Sequence, residues 1–502
     1  MPSGREPEPT PVALGSAAGR WTMAASVLGS GAAFVESSVV NVALPAIARD
    51  LGLGMSGMQW VLNAYLLALS ALMLLGGALG DRVGRREVFV LGLVAFAAGS
   101  LLCAAAPAAP WLVGARLLQG AAAALLVPNS LALLEHVIRP ADHGAAIGTW
   151  AGWSAVTTAL GPLVGGALVD AASWRLVFAC IVPLALAAAW IARRRIPAER
   201  RSSSREPLDV GGTALVSAGL SGVTYALVAG PDAGWMRAPV LAAGAGGVLA
   251  LALFVLVERR RAAPLLPPDL FRSRQFAGAN LATLLVYAAL SGVMLFLVLV
   301  LQQVFGWSAL AAGAALLPMN ALMLVGSPAA GRLAQRVGAR GPMTVGALGA
   351  AAGMVLLSRM DARATYVADV LPGLLVFGAG LATLVAPLTA AVLDAVPGER
   401  AGLASAVNNA MARLASLLAV AVLPLVAGVG GAGAPERGEL LEGSRRAMVA
   451  GATLCALGAL VAWRTVRGGP TAVEPRPHPS GHGCLGSRRA ATASRPARLR
   501  TG

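Results

Sequence analysis

Fourteen apolar stretches run through this 502-residue chain, at about residues 21–46, 58–80, 88–106, 110–134, 143–169, 174–192, 210–229, 238–257, 276–304, 308–331, 342–358, 369–393, 399–429 and 447–463. Each approaches or exceeds the roughly 20 residues that an α-helix needs to cross the hydrocarbon of a bilayer. Hydrophobic residues make up 57% of the chain and charged residues 12%. A soluble core of that richness would leave no surface to dissolve it. An all-α polytopic membrane protein with 14 transmembrane helices is the expected class.

The net charge is +16, and all 39 basic residues are arginine. The arginines fall in loops between apolar runs and in a tail, a distribution that argues against nucleic acid. The lack of lysine excludes a Walker A loop, so no ATP hydrolysis of that kind is expected. It also excludes Schiff-base cofactors. The Ala/Gly/Arg-rich, lysine-free composition suggests a GC-rich bacterial genome. Cys103, Cys180, Cys455 and Cys484 form no disulfide or zinc pattern. No cofactor and no metal site is expected.

A compact charged turn, Gly77–Glu87, interrupts the apolar pattern: Gly-Ala-Leu-Gly-Asp-Arg-Val-Gly-Arg-Arg-Glu. A degraded copy, Gly331–Arg340, follows 254 residues later. Gly77, Leu79, Arg82, Val83, Gly84 and Arg86 meet identical residues in it, while Asp81 meets Gln335. Two membrane halves sharing one loop pattern mark a transporter built from parallel repeats.

The pattern Gly-x-Leu-x-Asp-Arg-x-Gly-Arg-Arg closely resembles the signature loop between the second and third helices of the major facilitator superfamily. The resemblance implies a gating loop of Gly77, Asp81, Arg82, Gly84, Arg85 and Arg86. In it Asp81, Arg82 and Arg86 would clasp neighbouring helix ends and hold the outward-open state.

With the N-terminus inside, the inner loops carry 19 arginines and the outer loops 8. That bias puts both termini in the cytoplasm. Residues 1–20 are expected to be a disordered cytoplasmic lead, 21–192 a six-helix bundle, and 193–275 cytoplasmic linkers around two inserted helices. Residues 276–463 would form a second six-helix bundle, and 464–502 a disordered basic cytoplasmic tail. Fourteen spans with this insertion resemble the drug:proton antiporter branch of the superfamily, the EmrB/QacA-type multidrug exporters.

Glu36 is the one acid well inside any of these stretches. A carboxyl at that depth is costly to keep charged, so it faces the bundle interior or water and suits proton uptake and release. Its surroundings, through Asn41-Val42-Ala43-Leu44-Pro45, resemble the first-helix motif of the fourteen-span exporters, with Glu36 where that motif usually has aspartate. Arg116 cannot shed its charge and needs a partner; Gln119 lies one turn away on the same face. Arg116, Gln119 and Gly120 resemble the family's fourth-helix motif, which ties Arg116 to proton coupling.

Gly148, Gly152, Gly161-Pro162 and Gly165-Gly166 give the fifth stretch a kinked packing face. They also resemble the antiporter motif, with Thr157 in place of one glycine. That motif belongs to exporters rather than importers. Asn41, Tyr65, Gln119, Tyr287, Met294, Gln302, Asn320 and Asn408 are candidate lining for a substrate cavity. Arg413 has no local acid partner, and no role is assigned to it.

The expected function is proton-driven antiport of an amphipathic drug, antibiotic or other toxic compound by a monomer in the lipid of the bacterial cytoplasmic membrane. A carrier of one defined metabolite, or a non-transporting sensor on the same fold, are the alternatives. An enzyme is not expected, because no nucleophile–base or metal constellation occurs.

Overall fold

The computed structural model describes residues 11–197, 209–261, 264, 266–397, 400–429, 431, 433 and 435–469. Fourteen helices in it are long and apolar enough to cross a membrane. They are α1 (Ala17–Leu51), α2 (Met55–Val83), α3 (Arg85–Ala104), α4 (Ala109–Val137), α5 (Pro140–Ala171), α6 (Arg175–Arg195), α7 (Val210–Ala233), α8 (Ala238–Glu258), α9 (Arg274–Val304), α10 (Ala309–Val337), α11 (Arg340–Leu357), α12 (Tyr366–Leu393), α13 (Gly402–Ala427) and α14 (Arg437–Thr465). No strand occurs among the described residues.

The packing repeats as the loop sequence does. In the first half α2 packs on α4, α3 on α4, α1 on α5 and α6, and α3 on α6. In the second half the equivalent helices pair in the same way: α10 with α12, α11 with α12, α9 with α13 and α14, and α11 with α14. Small residues permit the close crossings. A Cβ at Gly76 would lie 2.1 Å from the Ala124 carbonyl, and one at Gly353 would lie 2.4 Å from the Phe377 nitrogen.

The two copies of the charged turn have a common backbone cause. Gly84 (φ 115°) ends α2 and Gly338 (φ 87°) ends α10, each in a region that disfavours a side chain. Each glycine N–H donates back to a carbonyl four residues earlier, Gly80 and Ala334 respectively. The chain then re-enters a helix within two residues, at Arg85 and at Arg340.

The inserted helices α7 and α8 pack on one another, and α7 also touches α2 and α13. Leu220 of α7 is buried with Leu67 and Ala71 of α2 and Leu417 of α13. Trp60 of α2 and Tyr225 of α7 have ring centroids 6.3 Å apart. The hairpin therefore lies against the seam where the two halves meet. At its base Asp209, Glu258 and Arg261 gather. Asp209 pairs with Arg261, and Glu258 accepts from the Leu266 N–H at 2.9 Å.

Several boundaries differ from the apolar runs. Helix α1 opens at Ala17 with Ser16 as N-cap. Val12 is bridged to the end of α4, its N–H donating to Val137 and its carbonyl accepting from Arg139. Residues 11–20 are thus held in place, and residues 1–10 lie outside the described residues. Helix α14 begins ten residues before its apolar run, because a reciprocal Glu436–Glu439 capping box starts a polar first segment that hydropathy does not register. Arg445 and Arg446 are therefore helical rather than in a loop. Most of the Ser-rich linker (198–208) and the tail from 470 onward lie outside the described residues.

Hydrogen bonds between the halves cluster at one face of the molecule. Asp170 of α5 accepts from the Ala309 and Leu310 amides at the start of α10, at 3.0 and 2.8 Å. Gln302 of α9 donates to the Val42 carbonyl at 2.9 Å. Gln59 of α2 donates to the Val420 and Ala421 carbonyls of α13 at 2.8 and 3.2 Å. At the opposite face, which carries Asp81, no hydrogen bond or ion pair joins the halves among the described residues. The molecule is closed at the Asp170 face.

Candidate functional site

A buried polar network crosses the first half. Glu36 of α1 is fully buried and forms an ion pair with the Arg116 guanidinium of α4. Arg116 also donates to the Val61 carbonyl of α2 at 3.0 Å and to Gln119 Oε1 at 2.7 Å. Gln119 donates onward to the Ser100 hydroxyl of α3 at 2.9 Å. One guanidinium therefore ties α1, α2 and α4 together, and Gln119 adds α3. The Tyr65 ring lies under the guanidinium, 4.4 Å from Arg116 Cζ to the ring centroid. The second carboxylate oxygen of Glu36 has no hydrogen-bond partner among the described residues.

That arrangement is chemically asymmetric. A buried ion pair holds only while both partners are charged. Arginine stays charged under all ordinary conditions, so the carboxylate is the member that can change. Adding a proton to Glu36 removes the charge that Arg116 answers, and the Arg116 links across α2 and α4 are then free to rearrange. The unpartnered oxygen is a place for that proton.

The side chains of the charged turn join neighbouring helix ends. Asp81 at the end of α2 accepts from Arg85 at the start of α3, from Nη2 at 2.9 Å and Nε at 3.1 Å. Arg86 donates to the Ile196 carbonyl beyond α6 at 2.8 Å and pairs with Glu87. Arg86 thus clasps a neighbouring helix end, while Asp81 is mostly exposed and Arg82 is exposed. A Cβ at Gly77 would meet only Pro128, at 3.9 Å, whereas one at Gly80 would collide with the Asn129 side chain at 1.7 Å. The close approach of α2 to α4 therefore depends on Gly76 and Gly80.

The fifth helix divides its glycines between two duties. Added Cβ atoms at Gly161 and Gly165 would strike Ser38 and Val39 of α1, and one at Gly166 would strike Ala309 and Leu310 of α10. The Gly-Pro-x-x-Gly-Gly core is thus the wedge between the halves at the closed face. Pro162 belongs to it, since its carbonyl would touch a Cβ at Gly313. Gly148 and Gly152 have open space where a Cβ would be, so they form no packing face. Thr157 bonds back to its own helix at Trp153 and Ser154. It lines an apolar cleft of about 600 Å³ with Val27, Gly31, Val35 and Trp153.

The candidate cavity residues do not form one wall. Tyr65 and Gln119 belong to the Glu36–Arg116 network. Gln302 is spent on the closed face, and Asn41 donates to Ser37 of its own helix at 3.0 Å. Asn408 accepts from Thr283 at 2.7 Å between α13 and α9. Met294 packs against the main apolar core. Asn320 is half-buried in α10, and Tyr287 is half-buried in α9.

Sequence reasoning passed over Asp170, Gln59, Ser100 and Asp50. Asp50 accepts from the Trp174 indole and from Arg175, at 2.9 and 2.8 Å, across the corner between α5 and α6. Asp170 and Asp50 stand at the ends of apolar runs, where an acid looks like an ordinary loop residue. Only their partners distinguish them.

A family model described as Major Facilitator Superfamily matches residues 26–420. The puromycin resistance protein pur8 of Streptomyces alboniger is 37% identical over 388 residues, 76% of this chain and 77% of that protein. The tetracenomycin C resistance and export protein of Streptomyces glaucescens is 34% identical over 383 residues, 76% of this chain and 71% of its own length. Among solved structures, a bacterial homolog of the human lysosomal transporter Spinster superposes with a TM-score of 0.64 at 16% identity, covering 89% of this chain and 97% of that one. The two six-helix repeats, the fourteen spans and these matches together make the chain a multi-pass membrane transporter of the major facilitator superfamily, with antibiotic-resistance exporters among its relatives.

Proposed function

We propose that this protein exports amphipathic drugs, antibiotics or other toxic organic compounds from a bacterial cytoplasm in exchange for protons. The observation that carries the reading is the fully buried Glu36–Arg116 pair, in which one carboxylate oxygen remains free to take a proton. The resistance relatives support the substrate class and the export direction. The arginine bias supports a cytoplasmic Asp81 face and cytoplasmic termini. On that reading the closed Asp170 face is the outer one.

Export proceeds by alternating access. Substrate enters between the halves from the Asp81 face. The halves then rock to open the Asp170 face, which requires Asp170, Gln302 and Gln59 to release their partners. A proton arriving on Glu36 from outside dissolves its pair with Arg116 and commits the return. One proton crossing 100 mV releases roughly 2.3 kcal/mol, and each pH unit adds about 1.4.

The test is transport in everted vesicles with a panel of fluorescent amphipathic compounds. Lumen acidification should start uptake and a protonophore should stop it. Uptake that ignores the protonophore would remove the antiport reading.

A further inference from the structure

The Glu36–Arg116 pair accounts for the acid and one of the arginines in the middle of the membrane. A second arginine is left over. Arg413 is half-buried near the middle of α13. Among the described residues, no oxygen accepts a hydrogen bond from it and no carboxylate forms an ion pair with it. Its guanidinium carbon lies 5.8 Å from the Phe34 ring centroid of α1, near the limit at which a cation and a ring attract. Helices α13 and α1 belong to different halves, so Arg413 stands where the halves face each other.

A guanidinium inside a membrane protein keeps its charge and demands an anion or several oxygens. Arg116 has both: a carboxylate, a backbone carbonyl and an amide oxygen. Arg413 has only the Phe34 ring, near the contact limit, which leaves its fork of N–H donors unspent. Glu36 cannot serve it, since that carboxylate is fully buried on Arg116. The space between the halves is where transporters of this architecture hold their substrate. The charge facing that space is therefore positive, with the Phe34 ring beside it.

We propose that the mid-membrane site recognises substrates through an anionic group, a carboxylate or an ionised phenol on an aromatic body, with Arg413 as the anchor of that group and Phe34 beside the ring system. The proposal rests on the transport reading only in placing a small molecule between the halves. It excludes organic cations as preferred substrates.

The test is a binding titration on the purified full chain in detergent, with three probes that share one ring system: anthracene-9-carboxylate, its primary amide and 9-(aminomethyl)anthracene. The carboxylate should bind about tenfold more tightly than the amide, the size expected of a charge-assisted fork contact. The amine should bind more weakly than the amide. Arg413→Gln should bring the carboxylate down to the amide's level and leave the amide within about twofold of its wild-type affinity. Arg413→Lys should retain part of the preference, and it carries the test if Arg413→Gln does not fold. An equal loss for carboxylate and amide would mean a purely structural arginine and overturn the proposal. So would an unchanged preference in Arg413→Gln, tightest binding of the amine, or no binding of any probe. Everted-vesicle uptake of the carboxylate under a proton gradient is read separately. A carboxylate preference without gradient-driven uptake would sustain the proposal and defeat the export reading.

Discussion

Glu36 and Arg116 cannot be altered independently. Glu36→Gln removes the charge that compensates Arg116 and leaves a guanidinium buried without an anion. Breaking a buried pair from one side costs about 3–5 kcal/mol. We therefore expect Glu36→Gln to lower thermal stability clearly and to abolish proton-coupled export. The double variant Glu36→Gln/Arg116→Gln should recover much of the stability, because neither charge is then buried, yet remain uncoupled. Melting of the purified proteins, alongside protonophore-sensitive transport, distinguishes the two effects. A double variant no more stable than the single one would show that the pair is not energetically coupled. Asp81 offers the opposite case. Its bond to Arg85 is a solvent-facing pair across the turn between α2 and α3, worth about 0–1 kcal/mol. Asp81→Asn should leave the melting temperature within experimental error. Any large loss of transport in that variant then reports a contact Asp81 makes when the halves rock, rather than damage to the arrangement described.

Helix α5 makes its own prediction at the scale of the element. Gly166 meets the backbone of α10, and a Cβ there would lie 2.5 Å from both the Ala309 oxygen and the Leu310 Cα. Main chain cannot rotate away as a side chain can, so Gly166→Val must push the two halves apart at the closed face. We expect it to shift the population toward opening at that face and to depress transport. Gly148→Ala and Gly152→Ala have free space and should transport as wild type; alanine is also the better helix former there. The accessibility of a single cysteine near Ala309 to a membrane-impermeant maleimide would report the shift. Equal labelling in Gly166→Val and wild type would refute it. The same reasoning separates the two glycines of the charged turn. Gly84→Ala imposes a side chain on φ 115° and should cost about 1–3 kcal/mol. Gly77→Ala meets nothing nearer than 3.9 Å and should be neutral.

At the scale of the whole molecule, the hydrogen bonds between the halves among the described residues lie at one end, so locking that end should arrest the cycle. In a background without the native cysteines, Asp170→Cys with Leu310→Cys should crosslink readily in the resting protein and stop transport, with recovery on reduction. Pairs placed across the Asp81 face should crosslink slowly, and faster when an export substrate holds the halves in the alternate arrangement. Rapid crosslinking at both faces of resting protein would contradict a single closed end. The inserted hairpin bears on the same motion. Helix α7 is buried against both α2 and α13, so it spans the seam and must slide or tilt whenever the halves rock. Replacing Leu220 by a polar residue should therefore change transport rate more than the affinity of a bound compound.

The number of spans, the repeat and the family were all legible in the chain itself. Bilayer thickness dictates the length of an apolar run, and a turn that needs a glycine at positive φ recurs in sequence wherever it recurs in space. Glu36 and Arg116 were legible for a related reason: a charge within an apolar run stands out against its neighbours. What those charges touch was not legible. Glu36 and Arg116 lie 80 residues apart, and only the crossing of α1 over α4 makes them one group. Arg413 could be found in the sequence but not interpreted, because its meaning is the lack of an acid on helices that are distant in the chain. Asp170 and Gln59 were invisible for the converse reason. Each looks ordinary at a helix end, and each becomes part of the closure only where the opposite half presents backbone groups to it. The sequence alone determined what had to be buried in the membrane; the tertiary structure alone decided which buried charges were answered, because that depends on which helices cross.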